Sequence, residues 1–260
     1  MDLGLTGRVA LVAAASSGLG LGVARALARE GAHVSIAARD PGRLARAHAE
    51  VDAAGPGKVL STPVDLRDDD AVTAWVERTA AELGALHVVV TNSGGVPHGP
   101  ADAFTPGQYR EALEGSMLPH VTTALAALPH LRAAGWGRIL MITSEAVRQP
   151  LPGTALSASA RLGLLGFAKG LVHALGASGV TVNVLAPGCH RTPAFETFLE
   201  AHPAPDKETA LKEITAEIPL GTVGDPEDFG AIAAFLAGEQ ASFVTGTVLV
   251  ADGGNTRGLG

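Results

Sequence analysis

The chain has 260 residues, 47% of them apolar and 17% charged, which is enough apolar material for a sizeable core. A formal net charge of −7 without any Lys/Arg run argues against a nucleic-acid surface. A single cysteine, Cys189, excludes an internal disulfide; the N-terminus lacks the layout of a secretory leader, and no apolar run approaches the length of a membrane span. These bounds predict a cytoplasmic protein that meets neither nucleic acid nor membrane and holds no metal.

Short apolar runs alternate with Ala/Leu-rich amphipathic stretches. "RVALVAA" (8–14) reads as a buried strand, with a helix after it through about Glu30. "HVSIAA" (33–38) is the next strand and "PGRLARAHAEVDAA" the next helix; "KVLSTPVD" and "DDAVTAWVERTAAEL" repeat the pair. "LHVVVTN" (86–92) gives a fourth strand, followed by a long helical region over 104–134. "GRILMITS" (137–144) is the fifth strand, 156–176 a helix, "VTVNVLAPG" (180–188) the sixth strand and "GTVLVADGG" (246–254) the seventh. Continuous apolar strands joined by helical crossovers predict an α/β fold: one doubly wound, Rossmann-type domain over 1–260, with a seven-stranded, mostly parallel sheet and helices on both faces. Residues 190–218 break the rhythm with Pro, His, Thr and Glu, and are assigned to a cap over a ligand crevice.

The first strand runs into "AAASSGLGLG" (13–22). Glycines between a first strand and a first helix let backbone approach a pyrophosphate at the helix N-terminus, or simply let helix and sheet pack closely. Ala14, Ser16, Ser17, Gly18, Leu19 and Gly20 are the candidates for that contact.

With further landmarks the chain resembles the short-chain dehydrogenase/reductase family over essentially its whole length. The family's T-G-x-x-x-G-x-G becomes Ala13, Ala14, Gly18 and Gly20, so its first glycine is lost; an alanine held at positive φ there costs about 1 kcal/mol. "VDL" (64–66) is similar to the adenine-contacting pair and gives Asp65 and Leu66; "TNSGG" (91–95) gives Asn92 and Gly94. "PGCHRT" (187–192) gives Pro187, Gly188 and Thr192 beside the nicotinamide, and "VTGTVLVADGG" matches the closing motif. At the end of the second strand an acid would bind the ribose of NAD, whereas a cation suits a 2′-phosphate. Ala38 and Arg39 occupy that place, so NADP(H) is preferred over NAD(H), unless Arg39 merely pairs with Asp40 in solvent.

The resemblance also implies a tetrad of Asn, Ser, Tyr and Lys. Ser144 ends the fifth strand; thirteen residues on is Ser157 and four further is Arg161, while the Asn place holds Ser116. Only Ser144 is retained. Serine is a far weaker acid than a phenol, and arginine keeps its charge but does not shuttle protons; Arg161 is assigned to the nicotinamide ribose or to a substrate anion. His190, in the Pro-Gly loop, is the candidate substitute proton donor, with His98 and Glu145 as lesser ones; Glu145 is otherwise a partner for Arg148. His120 and His130 are placed at a surface or subunit contact.

The pattern resembles an atypical branch close to β-ketoacyl carrier-protein reductases. It implies reduction of a ketone, or oxidation of a secondary alcohol, on a small-molecule substrate. The alternatives are a catalytically silent cofactor-binding protein and a non-redox lyase or isomerase on the same fold. The low charge of the helices at 104–134 and 156–176 predicts a homotetramer or homodimer.

Overall fold

The computed structural model describes residues 1–258. Among these, seven strands form one sheet: β1 Val9–Ala13, β2 His33–Ala38, β3 Val59–Pro63, β4 Val88–Thr91, β5 Gly137–Ile142, β6 Val180–Pro187 and β7 Val248–Ala251. The helices are α1 Gly18–Arg29, α2 Pro41–Asp52, α3 Asp69–Leu83, α4 Pro106–Ser116, α5 Leu118–Ala134, α6 Ala155–Leu175, α7 Pro193–Glu200, α8 Lys207–Glu217 and α9 Pro226–Ala237.

Every strand pairing is parallel, in the order β3-β2-β1-β4-β5-β6-β7. The chain moves outward from β1 through β2 to β3, then restarts on the other side of β1 with β4. Crossovers therefore leave β1 and β4 toward opposite faces, and a crevice opens at their C-terminal ends. Along β1 the residues divide by alternation: Ala10 and Val12 join a core with α1, α2 and α9, while Val9, Leu11 and Ala13 join a core with α3, α5 and α6. Burial on both faces is why interior strands such as β1 and β4 read as unbroken apolar runs, while the edge strands β3 and β7 are only partly buried.

Two close approaches set the frame. A Cβ on Gly22 would stand 2.2 Å from the Pro226 carbonyl oxygen, and one on Gly230 2.4 Å from that of Gly22, so α1 and α9 cross backbone to backbone. On the opposite face the Trp75 indole N–H of α3 donates to Ser35 Oγ of β2 at 2.9 Å, and Ser35 shares a 2.8 Å bond with Thr79. That pairing satisfies the polar atoms buried between helix and sheet.

Two sequence expectations are corrected. The helical region at 104–134 is two helices, not one: Met117, at φ −115°, separates α4 from α5. Pro119 in the first turn of α5 lacks an N–H and would clash with the preceding turn of a continuous helix. Second, α6 is, at 21 residues, long and apolar enough to cross a membrane by length and composition. It serves instead as the crossover between β5 and β6, seating Leu164, Ala168, Leu171 and Leu175 inward and leaving Leu162 exposed. Within the segment that broke the strand–helix rhythm, residues 193–217 carry α7 and α8, which close on a small apolar cluster of their own containing Phe195, Leu199 and Ala210.

The β1–α1 turn carries the backbone's local strain. Ala14 has φ +49°, the one non-glycine residue at positive φ among those described. The turn is held by the sheet, with Ala15 N–H donating to the Ala37 carbonyl at 3.1 Å. Left-handed backbone costs an alanine about 1 kcal/mol relative to glycine. Ala14→Gly is therefore expected to stabilise the protein by about that amount and raise Tm by about 2–4 °C in calorimetry; an unchanged or lower Tm would show that the turn bears no such cost.

Candidate active site

A crevice of about 850 Å³ lies over the C-terminal ends of β1, β2, β4 and β5. On the β1 side it is lined by Ala14, Ser16, Ser17, Gly18 and Leu19. Ser17 is the N-cap of α1 but makes no side-chain cap hydrogen bond, whereas Asp40, Asp68, Thr192, Asp206 and Asp225 cap their helices with side-chain oxygens. The first-turn N–H groups of α1 thus face the crevice without a side-chain acceptor, the arrangement an anion completes. Gly18 has φ +58°, and a Cβ there would meet the Thr192 side chain at 3.2 Å. Gly20 does not line the crevice: its absent Cβ would stand 2.6 Å from the Ala14 carbonyl oxygen and 3.0 Å from Asn92 Nδ2. It serves close packing, which keeps the turn where it is.

On the β2 and β3 side Arg39, Asp65 and Leu66 line the crevice as read from the sequence, and Arg43 and Arg67 join them unforeseen. Asp40 spends its carboxylate on capping α2, accepting from the Arg43 backbone N–H at 2.6 Å. Among the described residues Arg39, Arg43 and Arg67 have no ion-pair partner. Arg43 could have been found from the sequence, since it sits in the first turn of the helix that Arg39 precedes. Arg67 depends on α4 folding back: its Nη2 lies 2.8 Å from where Gly115 would carry a Cβ.

On the β4 and β5 side Asn92, Gly94, Thr143 and Arg161 line the crevice, with Thr192 from the segment after β6. Arg161 donates to Ser157 Oγ at 2.5 Å through Nη1 and to the Gly94 carbonyl at 3.4 Å through Nη2. Ser116, fully buried, donates to the same carbonyl at 3.3 Å. The structure thus brings Ser116, Ser157 and Arg161 together around the β4 loop. Burial lowers the Arg161 pKa to about 10. Ser144 follows Thr143 two residues past the end of β5 and caps the short turn at 145–147, its Oγ accepting from the Ala146 N–H at 3.2 Å. Pro187 and Gly188 close β6, where a Cβ on Gly188 would come within 2.7 Å of Asp252.

The histidines and Glu145 need correcting. His190 does not line the crevice: its Nδ1 bonds the Gly188 carbonyl at 3.0 Å, its ring meets Phe229 edge-on at 5.3 Å, and Gly224 abuts its other edge. Burial holds its pKa down against the pull of Asp225 and Asp228. In this setting it packs the loop against α9, outside the crevice in which the sequence placed it. Glu145 pairs with Asn255 at 2.9 Å rather than with Arg148, and burial raises its pKa. Burial, with Glu145 nearby, also pushes the Cys189 thiol up to about 11, which leaves it inert. His98 is exposed and stacks near Phe198 of α7, 5.3 Å between rings.

His120 is the residue that sequence reasoning misplaced most. It is fully buried, not at a surface: Nδ1 bonds Thr91 Oγ1 at 2.7 Å and Nε2 bonds Ser93 Oγ at 3.3 Å. His130, by contrast, faces outward and meets Glu77 at 2.9 Å. Burial first, and then the Arg161 charge, lower the His120 pKa from 6.5 to about 3. A histidine whose folded pKa lies below its unfolded one contributes stability that is complete above the unfolded value and is lost as pH falls through the folded one. Tm is therefore expected to fall as pH drops from 6.5 toward 3, and His120→Asn, which keeps one hydrogen-bonding edge, to flatten that slope. Parallel pH profiles of parent and variant would remove His120 as the cause.

A family model described as enoyl-(acyl carrier protein) reductase matches residues 13–256. The chain is 34% identical to cis-4-hydroxycyclohexanecarboxylate dehydrogenase of Sinomonas cyclohexanicum over 250 residues, covering 96% of each protein. It is 30% identical to a 3-oxoacyl-[acyl-carrier-protein] reductase of Chlamydia muridarum, covering 96% of this chain and 98% of that one. Among solved structures, L-sorbose reductase of Gluconobacter frateurii, complexed with NADPH and L-sorbose, superposes with a TM-score of 0.94 at 27% identity over 100% of both chains. Sheet order, crevice and sequence relatives agree: the chain is an oxidoreductase that belongs to the short-chain dehydrogenase/reductase family.

Proposed function

We propose that the protein is an NADP(H)-dependent ketone reductase, reversible as a secondary-alcohol dehydrogenase, in which the proton-transfer part of the site is impaired. The observation that carries this is the crevice itself: an uncapped α1 N-terminus at one wall and three unpaired arginines at the adenosine end. Those residues fit a dinucleotide with a 2′-phosphate, with the pyrophosphate at the turn of Ala14 to Leu19 and the phosphate against Arg39, Arg43 and Arg67. A bound nicotinamide cofactor supplies the hydride.

The remaining chemistry falls to this chain's side chains. Ser144 Oγ holds the substrate oxygen at the end of β5. Ser157 already accepts a hydrogen bond from Arg161, which is fixed as its donor, so the pair retains charge and position without a phenol's acidity. The proton on the product oxygen then comes from solvent. Relatives named for a hydroxy acid and for an oxoacyl thioester both work on an alcohol–ketone couple, which supports the reaction class. We place the protein in the cytoplasm, as one nucleotide-binding domain with residues 190–218 capping the crevice. Exposed Leu118, Leu125 and Leu162, on α5 and α6, support a homodimer or homotetramer through these helices.

Two outcomes test this. NADPH is expected to bind more tightly than NADH in a fluorescence titration, by about tenfold or more for one well-paired phosphate, and Arg39→Asp to reverse the preference; equal affinities in the parent protein would sink the NADP(H) assignment. Against a panel of activated ketones, Ser144→Ala is expected to abolish reduction, while Ser157→Tyr with Arg161→Lys raises it by about 10² or more, the range of a restored general acid. Binding of NADPH without turnover in every variant would favour a silent cofactor-binding protein.

A further inference from the structure

Arg161 is a cation without a counter-ion. Of its five N–H donors, one reaches Ser157 Oγ and one the Gly94 carbonyl, while Nε is buried with no partner. Among the described residues no carboxylate lies within ion-pair distance of it. Its ionisable neighbour His120 is neutral. The acids that do line the crevice, Asp40 and Asp65, follow β2 and β3. β2 stands three strand spacings from β5 in the sheet, about 14 Å. A guanidinium taken out of water without a partner is unfavourable, and such a group is ordinarily matched by an anion.

The cofactor does not supply that anion. On the reading above, its pyrophosphate lies at the α1 turn and its 2′-phosphate against Arg39, Arg43 and Arg67, while its nicotinamide riboside end carries no negative charge. What remains to meet Arg161 is the substrate. We infer that the substrate is a carbonyl compound bearing a carboxylate or similar acid group, which Arg161 binds while Ser144 holds the carbonyl oxygen. The planar fork suits a two-oxygen anion, which it can engage through parallel N–H bonds, as a lysine at this place could not. The inference rests on the cofactor reading of the crevice and gives the substrate its charge.

The test uses the whole protein saturated with NADP⁺, in which a ketone binds without reacting. A panel of keto acids of three to eight carbons is titrated calorimetrically, each against its methyl ester. At least one acid is expected to bind about tenfold or more tightly than its ester, with the gap narrowing as salt rises. Arg161→Gln is expected to erase the gap, and Arg161→Lys to keep part of it. If no acid outbinds its ester, the inference is overturned, and this arm stands even if the variants fold poorly. It is likewise overturned if Arg161→Gln leaves the gap intact and weakens only NADP⁺, which would put Arg161 on the nicotinamide ribose. Failure of the parent protein to bind NADP⁺ at all would instead overturn the cofactor reading on which the inference stands.

Discussion

The close seating of α1 on the end of β1 governs the rest of the molecule. Nothing larger than a hydrogen fits at Gly20, because the Ala14 carbonyl is 2.6 Å from any Cβ there, and the Asn92 amide of β4 closes the other side at 3.0 Å. The helix N-terminus is thereby pinned at the point where the strand order reverses. Its N–H groups look into the gap between β1 and β4, and Ala14 is forced into left-handed backbone. A parallel sheet with this order has a crevice at its switch point whatever its sequence. This chain adds a helix end left open to an anion, and accepts strain at one residue to keep it there.

Charge in the molecule is distributed against its average. The chain is net negative, yet Arg39, Arg43, Arg67 and Arg161 all face the crevice, with only Asp40 and Asp65 among its lining acids. Several cations elsewhere are engaged. Arg8 and Arg138 sandwich the Trp136 ring at 4.2 and 4.1 Å, and Arg25 and Arg29 meet Glu227 on α9. A net charge describes solubility and long-range steering, whereas recognition follows from which cations the fold leaves unpaired. Here four cations without an ion-pair partner among the described residues line one crevice.

The wall around Gly94 gathers the residues that hold the tetrad's places by spacing. The thirteen-and-four spacing of Ser144, Ser157 and Arg161 survives because each residue's place is dictated by the sheet end and by one face of α6. Ser157 and Arg161 hold each other directly, and Ser116 and Arg161 both donate to Gly94. Together these contacts set one charge and two serine hydroxyls against a single loop. His120 adds a second constraint, since its neutrality is the condition for burying it beside that charge.

Much of this was determined by sequence alone. Strands buried on both faces leave runs such as "VALVA" and "VVVT" that have no other use, and crossover helices must alternate with them, so sheet, fold class and the turn of Ala14 to Gly20 were legible from pattern. The place of Arg39 at the crevice was legible because it depends on one local position after β2. What the pattern could not decide is direction. Periodicity places a side chain on an element but not toward a particular neighbour. So His190 was assigned to the crevice although Phe229 and Gly224 hold its ring elsewhere, and Glu145 was given to Arg148 although Asn255, 110 residues away, holds it. His120 passed for a surface residue until Thr91 and Ser93 were brought to it by the packing of α5 on β4. The isolation of Arg161 was invisible for the same reason. A missing counter-ion is a property of everything that surrounds a residue, and only the tertiary structure assembles those surroundings.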